Sequence, residues 1–316
     1  FEKFLSKFLI KIIPLSYLEA YKKILKKTKD INLNPEIIFS HYGQISNDLF
    51  KIWLANMQLK KKKIIVCYHG GSLEKYAYLN YYENICDLLL SRYKFQSKKI
   101  LQLPPSFLPD KKKFLKKTNN KNLLFLTHNQ MIYAYRIHDG PLSTEMMNYY
   151  SFFKDFLIKL NPLIFQNLLV RGNPKRDNLD LKNKFKIDIP NLKFSKKKNF
   201  SKDLELSKLI INTAAESTFF QSMRSGKPTL LILHKDLWNF TPEVKKMYFD
   251  LKKNNIIFTD KEKALNHIQD IWKEPLEWWN SNNVKAARNF FEETCSIPNK
   301  NNWKFFFKDI RKKYLN

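Results

Sequence analysis

Short apolar runs alternate with amphipathic helical segments along most of this 316-residue chain, and that alternation limits its fold more than any other feature. Residues 63–68 (KIIVCY), 122–126 (NLLFL), 209–212 and 229–233 are almost continuously apolar. A strand wet on one face would alternate polar and apolar residues. A continuous run instead fits a strand covered by helices on both faces of a parallel sheet. The periodic segments at residues 47–59, 74–90, 143–160, 217–225, 242–252 and 261–272 read as those helices. Shorter apolar stretches at 36–40, 99–103, 168–171 and 255–258 supply further strands, and residues 192–194 an edge strand. The length exceeds what one small core fills and suits two α/β domains. The expected divisions are residues 1–110, 111–274 and a helical tail at 275–316, with the proline- and lysine-rich stretch 104–120 as the join.

Charge narrows the partners. Lys and Arg number 57 against 29 acidic residues, a formal charge of +28. Lysine runs at 60–63, 111–113 and 196–198 fall between periodic segments and read first as solvated loops. What remains favours polyanions: a nucleotide pyrophosphate, an acidic glycan or phospholipid headgroups. No nucleic-acid partner is expected, since neither zinc-finger spacing nor an aromatic RNA-binding signature occurs. Cys67, Cys86 and Cys295 are scattered, which fits a reducing compartment without disulfides. No apolar run approaches the roughly 20 residues of a bilayer span, so a cytoplasmic or membrane-peripheral location is expected. Residues 1–27 read as a basic amphipathic helix broken at Pro14. It either lies on a membrane surface or packs on the body of the protein, and the second is the simpler reading. The chain enters this helix directly from Phe1, so sequence belonging to its front is expected to precede it.

Chemistry concentrates at strand ends. Residues 209–233, LIINTAAESTFFQSMRSGKPTLLIL, read as strand, polar turn, helix, Gly-Lys-Pro and strand. Ser217 and Thr218 open the helix, where backbone N–H groups and hydroxyls hold an anion without a lysine. The alternative is ordinary N-capping. His69 follows a buried strand, and Gly70 and Gly71 let the backbone approach a ligand closely. His69 suits a general base on an acceptor hydroxyl or a phosphate donor, against a purely local hydrogen bond. Thr127, His128 and Arg171 also follow strands, and Arg136 lies in a later turn. The arginines suit phosphate or carboxylate, with surface ion pairs as the alternative. No P-loop, G-x-G-x-x-G, G-x-S-x-G or H-E-x-x-H motif is present, and no metal-binding D-x-D. Metal-independent chemistry is therefore expected.

These residues resemble a bacterial family of surface-carbohydrate-biosynthesis transferases, itself similar to GT-B transferases that use nucleotide-activated donors. The likeness begins with PLSYLE at 14–19 and NDLFKIW at 47–53. They lead into Tyr68-His69-Gly70-Gly71-Ser72, where the family has Gln-His-Gly-Gly-Gly. It continues through the turn, helix and Pro-Thr strand of residues 213–229, and through the tail with Trp278-Trp279 and residues 284–291. Ala215 replaces an expected Asn, and Gln221 an acidic residue that in GT-B enzymes often holds a donor ribose. The resemblance implies two Rossmann-type domains facing a cleft, with the C-terminal helices crossing back to the first. It implies an acceptor-side first domain with His69 as the catalytic base and Gly70, Gly71 and Arg136 on the acceptor or loop side. The second domain binds the nucleotide donor through Ser217, Thr218, Arg171, Gln221, Thr127 and His128. A sugar passes from a nucleotide-activated donor to a surface-glycan or lipid-linked acceptor, with no cofactor beyond that donor. Two other outcomes stay open: transfer of a polyol phosphate from a CDP-linked donor, as in teichoic-acid synthesis, and a non-catalytic glycan- or membrane-binding remnant.

Overall fold

The computed structural model describes residues 2–67, 77–91, 99–103, 120–128, 141, 144–172, 179–238, 240, 242–295 and 302–314. From the N-terminus come α1 (Glu2–Ile12), a single 3-10 turn (Leu15–Tyr17) and α2 (Tyr21–Lys29). Then follow β1 (Ile37–Ser40), α3 (Gly43–Ser46), α4 (Asp48–Leu59), β2 (Lys63–Cys67), α5 (Ala77–Ile85), β3 (Leu88–Ser91) and β4 (Ile100–Gln102). A second set runs β5 (Asn122–Leu126), α6 (Glu145–Ile158), α7 (Pro162–Phe165), β6 (Leu168–Arg171), α8 (Leu181–Asp188), α9 (Phe200–Leu206), β7 (Ser207–Asn212) and α10 (Ser217–Ser225). It ends with β8 (Thr229–Ile232), α11 (Pro242–Lys253), β9 (Ile257–Phe258), α12 (Lys261–Ile271), α13 (Pro275–Asn280) and α14 (Asn282–Cys295). Last comes α15 (Asn302–Tyr314).

Both sheets are parallel, as the continuous apolar runs require. The first has the order β1-β2-β3-β4 and the second β6-β5-β7-β8-β9. The chain divides into two compact units, the second running from β5 to α14 and the first taking α15 as well as the N-terminal elements. Phe306 of α15 is buried with Ile65, Leu90 and Leu103 of the first unit, with Ile310 packed alongside. The tail therefore splits. Trp279 and Phe291, on α13 and α14, are buried in the second unit, so only α15 packs on the first, rather than all of 275–316.

One expected helix proves shorter. Residues 74–90 read as a single helix, but α5 stops at Ile85 and Leu88–Ser91 forms β3, hydrogen-bonded between β2 and β4. Three successive leucines suit a central strand buried on both faces, and Leu89 and Leu90 are fully buried there. The edge strand expected at 192–194 reduces to one bridge, Val170 to Phe194. Two hydrogen bonds hold it: Val170 N–H to the Lys193 carbonyl at 2.9 Å and Ser195 N–H to the Val170 carbonyl at 2.8 Å. They cover the outer edge of β6, which would otherwise offer unpaired backbone. α1 also departs from the simpler reading, because its side chains from Glu2 to Leu9 are all exposed rather than packed on the body.

The second core is centred on β5, whose Leu123, Leu124 and Phe125 are fully buried. Phe153 and Phe156 of α6 meet the Phe125 ring at 5.5 and 6.2 Å between centroids. Each such side chain contributes about 1.5–3 kcal/mol through burial. Lys227 ties the strand starts together. Its buried Nζ donates to the Glu205 carbonyl at 2.7 Å and the Ser207 carbonyl at 3.0 Å. Burial pulls its pKa down from 10.5 to about 8, with the Glu205 carboxylate opposing in part. Between those two pH values the unfolded chain holds a proton that the folded chain has released, so this group's contribution to stability rises with pH. The melting-temperature difference between wild type and Lys227→Met should therefore shift in favour of wild type from pH 8 towards 10.5. A pH-independent difference contradicts the assignment.

Candidate active site

In a parallel sheet, ligands gather where strands end and helices begin. At the carboxyl edge of the second sheet, Thr127 and His128 follow β5, Arg171 closes β6, and Asn212 closes β7 beside Thr213. Ala214 and Ala215 fill the next turn, both buried, and α10 starts at Ser217.

The start of α10 follows the carboxyl end of β7. The amides of Phe219 and Phe220 both donate to the Glu216 carbonyl, at 2.9 and 3.3 Å, so the helical ladder begins there. The Ser217 and Thr218 amides precede it. Glu216 occupies the N-cap position, yet its side chain makes no capping bond. The positive end of a helix favours acceptors and anions. Thr218 is exposed, and Ser217 and Gln221 are half-buried one turn apart. These three define the open face of α10, while Phe219, Phe220, Ser222, Met223 and Ser225 are buried.

That burial fixes where the helix points. Phe219 and Phe220 lie 5.7 and 5.6 Å from the Phe291 ring, centroid to centroid. At the far end Gly226 ends the helix at φ 78°, a left-handed C-cap that favours glycine. Its carbonyl accepts from Trp279 Nε1 at 2.8 Å, and the Arg288 guanidinium covers that indole at 4.1 Å. Arg224 pairs with Glu292 at 3.2 Å. α13 and α14 thus clamp α10 from behind.

A buried polar cluster joins the neighbouring strand ends. Tyr149 Oη and Thr213 Oγ1 lie 2.6 Å apart, and Thr213 Oγ1 donates to the Leu126 carbonyl at 2.7 Å. The His128 amide donates to Tyr149 Oη at 2.7 Å. Burial drives the Tyr149 phenol pKa far above its usual value, so it stays neutral. The buried His128 ring meets Tyr149 and Trp238 edge-on, at 6.3 and 5.9 Å. Its Nδ1 stands 3.7 Å from the Glu216 carboxylate. Asn212 is fully buried, and among the described residues neither its amide nitrogen nor its oxygen has a hydrogen-bond partner.

Of the residues singled out by sequence, Ser217, Thr218, Gln221, Thr127 and His128 share this edge. Arg171 shares it too but is committed differently. Rather than standing open to a phosphate, its guanidinium bonds the buried Asp203 carboxylate and the Lys197 and Lys198 carbonyls, at 2.8 and 3.1 Å for the carbonyls. It holds the 195–198 loop over the end of β6, and the lysine side chains at 196–198 stay exposed there. The Thr127 amide donates to the Arg171 carbonyl at 2.9 Å. His69, Gly70, Gly71 and Arg136 lie outside the described residues. Sequence reading missed Glu216, Tyr149 and Trp238. Glu216, immediately before a Ser-Thr helix start, was the findable one; Tyr149 and Trp238 look in sequence like any core aromatic. Among the described residues, no three His, Cys, Asp or Glu side chains group as a metal site.

Two parallel sheets in two α/β units are the architecture of the GT-B fold, and comparison with solved structures agrees. MurG of Acinetobacter baumannii matches with a TM-score of 0.52 at 10% identity, over 95% of this chain and 79% of that one. The UDP-GlcNAc 2-epimerase of Neisseria meningitidis, bound to UDP-GlcNAc, matches with a TM-score of 0.51 at 10% identity, over 92% and 81%. The model of the LIC12162 family transferases matches residues 1–307, and the chain belongs to that family. No curated protein matches it in sequence. No helix among the described residues is long and apolar enough to cross a membrane.

Proposed function

We propose that this transferase moves a sugar from a nucleotide-activated donor to a surface-glycan or lipid-linked acceptor on the cytoplasmic side. The observation that carries the reading is the α10 N-terminus, aimed from the carboxyl edge of the second sheet and left uncapped by its own N-cap side chain. It suits the donor's phosphate, with Ser217 and Thr218 adding hydroxyls and Gln221 lying one turn further on. The exposed lysines at 196–198, held in place by Arg171, add positive potential on the same edge. His128 is packed between Tyr149, Trp238 and Glu216 behind this edge. The neighbour bound to UDP-GlcNAc supports a nucleotide sugar as the ligand of this fold.

In the proposed step, an acceptor hydroxyl oxygen bonds the donor's anomeric carbon and His69 takes the hydroxyl proton. The bond from that carbon to the phosphate oxygen breaks, and the electron pair leaves with the nucleotide. The α10 amides stabilise the charge that develops on it, so no metal or other cofactor is required in this scheme.

Thermal shifts with CMP, CDP, UDP, GDP and TDP test the reading. A ligand at 100 times its Kd stabilises the fold by about 2.7 kcal/mol, so even weak nucleotides register at millimolar concentration. One nucleotide class should raise the melting temperature, and Ser217→Ala should lose most of that rise. No shift with any of the five would replace this reading with a non-catalytic binding module.

A further inference from the structure

Five apolar side chains of α1, Phe4, Leu5, Phe8, Leu9 and Ile12, are exposed. Phe4, Phe8, Ile12 and then Leu15 recur along one stripe and are 65, 45, 55 and 68% exposed. Leu5 and Leu9 widen the stripe and are also exposed. The Phe4 and Phe8 rings stack at 5.6 Å, so together they present one flat apolar surface. Lys3, Lys7 and Lys11, spaced four apart, run along one flank of that stripe. α2 follows and is anchored: Thr28 is buried and accepts from Asn56 Nδ2 of α4 at 3.4 Å. It exposes Lys22, Lys23, Lys26, Lys27 and Lys29. Residues 2–29 carry eight lysines against two glutamates.

We infer that α1 is a docking element for an anionic lipid bilayer, lying in the headgroup plane with Phe4, Phe8 and Ile12 inserted and the lysines on the lipid phosphates. Neither a second copy nor a soluble polyanion accounts for both halves of this surface. A second copy of a chain with formal charge +28 would set lysine against lysine. A soluble polyanion would neutralise the lysines and leave the aromatic stripe in water. A bilayer with acidic headgroups satisfies both at once, because apolar insertion and attraction to the surface potential add. The lysines of α2 extend the contact onto the folded body, so docking would hold the first unit at the surface. This inference does not rest on the donor-site reading, and the nucleotide shifts test that reading separately.

Flotation of the full 316-residue chain with vesicles tests it. Vesicles containing phosphatidylglycerol should carry the protein up, and phosphatidylcholine vesicles should carry much less. Phe4→Ser combined with Phe8→Ser should weaken binding about tenfold or more without changing the melting temperature, since both rings are exposed in the free protein. Lys3→Glu with Lys7→Glu should weaken it comparably, and raised salt should weaken wild-type binding. No binding to acidic vesicles overturns the proposal, as does binding indifferent to the phenylalanine pair. So does a concentration-dependent dimer in light scattering that the same pair dissolves, because α1 would then be covered by a second copy.

Discussion

Arg171→Met is expected to lower stability by about 3–5 kcal/mol, because it strips a buried carboxylate of its counter-charge. The Asp203 side chain is fully buried and receives the Arg171 guanidinium and the Ser195 hydroxyl, the latter at 2.7 Å. Without Arg171 that carboxylate is left with one neutral donor. The same change frees the Lys197 and Lys198 carbonyls, so the loop over β6 loosens as well. Adding Asp203→Leu should recover much of the loss, since removing both ions leaves no uncompensated charge. Urea unfolding of the two single variants and the double variant measures this directly. If Arg171 instead served mainly as a phosphate ligand, Arg171→Met would keep its stability and lose only the nucleotide shift.

That example shows where reading the sequence ran short. The α/β alternation was plain because continuous apolar strands and periodic helices leave few other folds, and α10 was placed residue for residue at 217–225. Ser and Thr ahead of an amphipathic run, with Gly226 after it, are local signals that survive folding. Arg171 was found as a residue at a strand end, but its partner lies 32 positions away on α9. Asp203 sits in a short charged stretch, FSKDLEL, that gives no hint of complete burial. The boundary between α5 and β3 failed for a related reason. Leucine serves helix and strand alike, and the neighbouring strands that decide the matter are distant in sequence. The tail aromatics were recognised as closing helices, yet nothing local says that Trp279 reaches Gly226 while Phe306 reaches Leu90. Tertiary partners at long separation were the part that one chain's pattern does not encode.

His69→Ala is expected to reduce sugar transfer by about 10²–10⁴-fold, the usual contribution of a positioned general base. In sequence His69 stands two positions after Cys67, the last residue of β2, and is followed by Gly70 and Gly71. Its task in the proposed step concerns the acceptor proton alone, so the nucleotide-induced thermal shift should stay at its wild-type size. Ser217→Ala should behave in the opposite way, losing the shift together with turnover, because it removes part of the donor site. The two variants therefore separate the roles in one pair of measurements: nucleotide release from the donor that the thermal shifts identify, and stabilisation by the free nucleotide. Wild-type turnover in His69→Ala removes the base assignment, and loss of the nucleotide shift moves His69 to the donor phosphate, its other sequence-level reading.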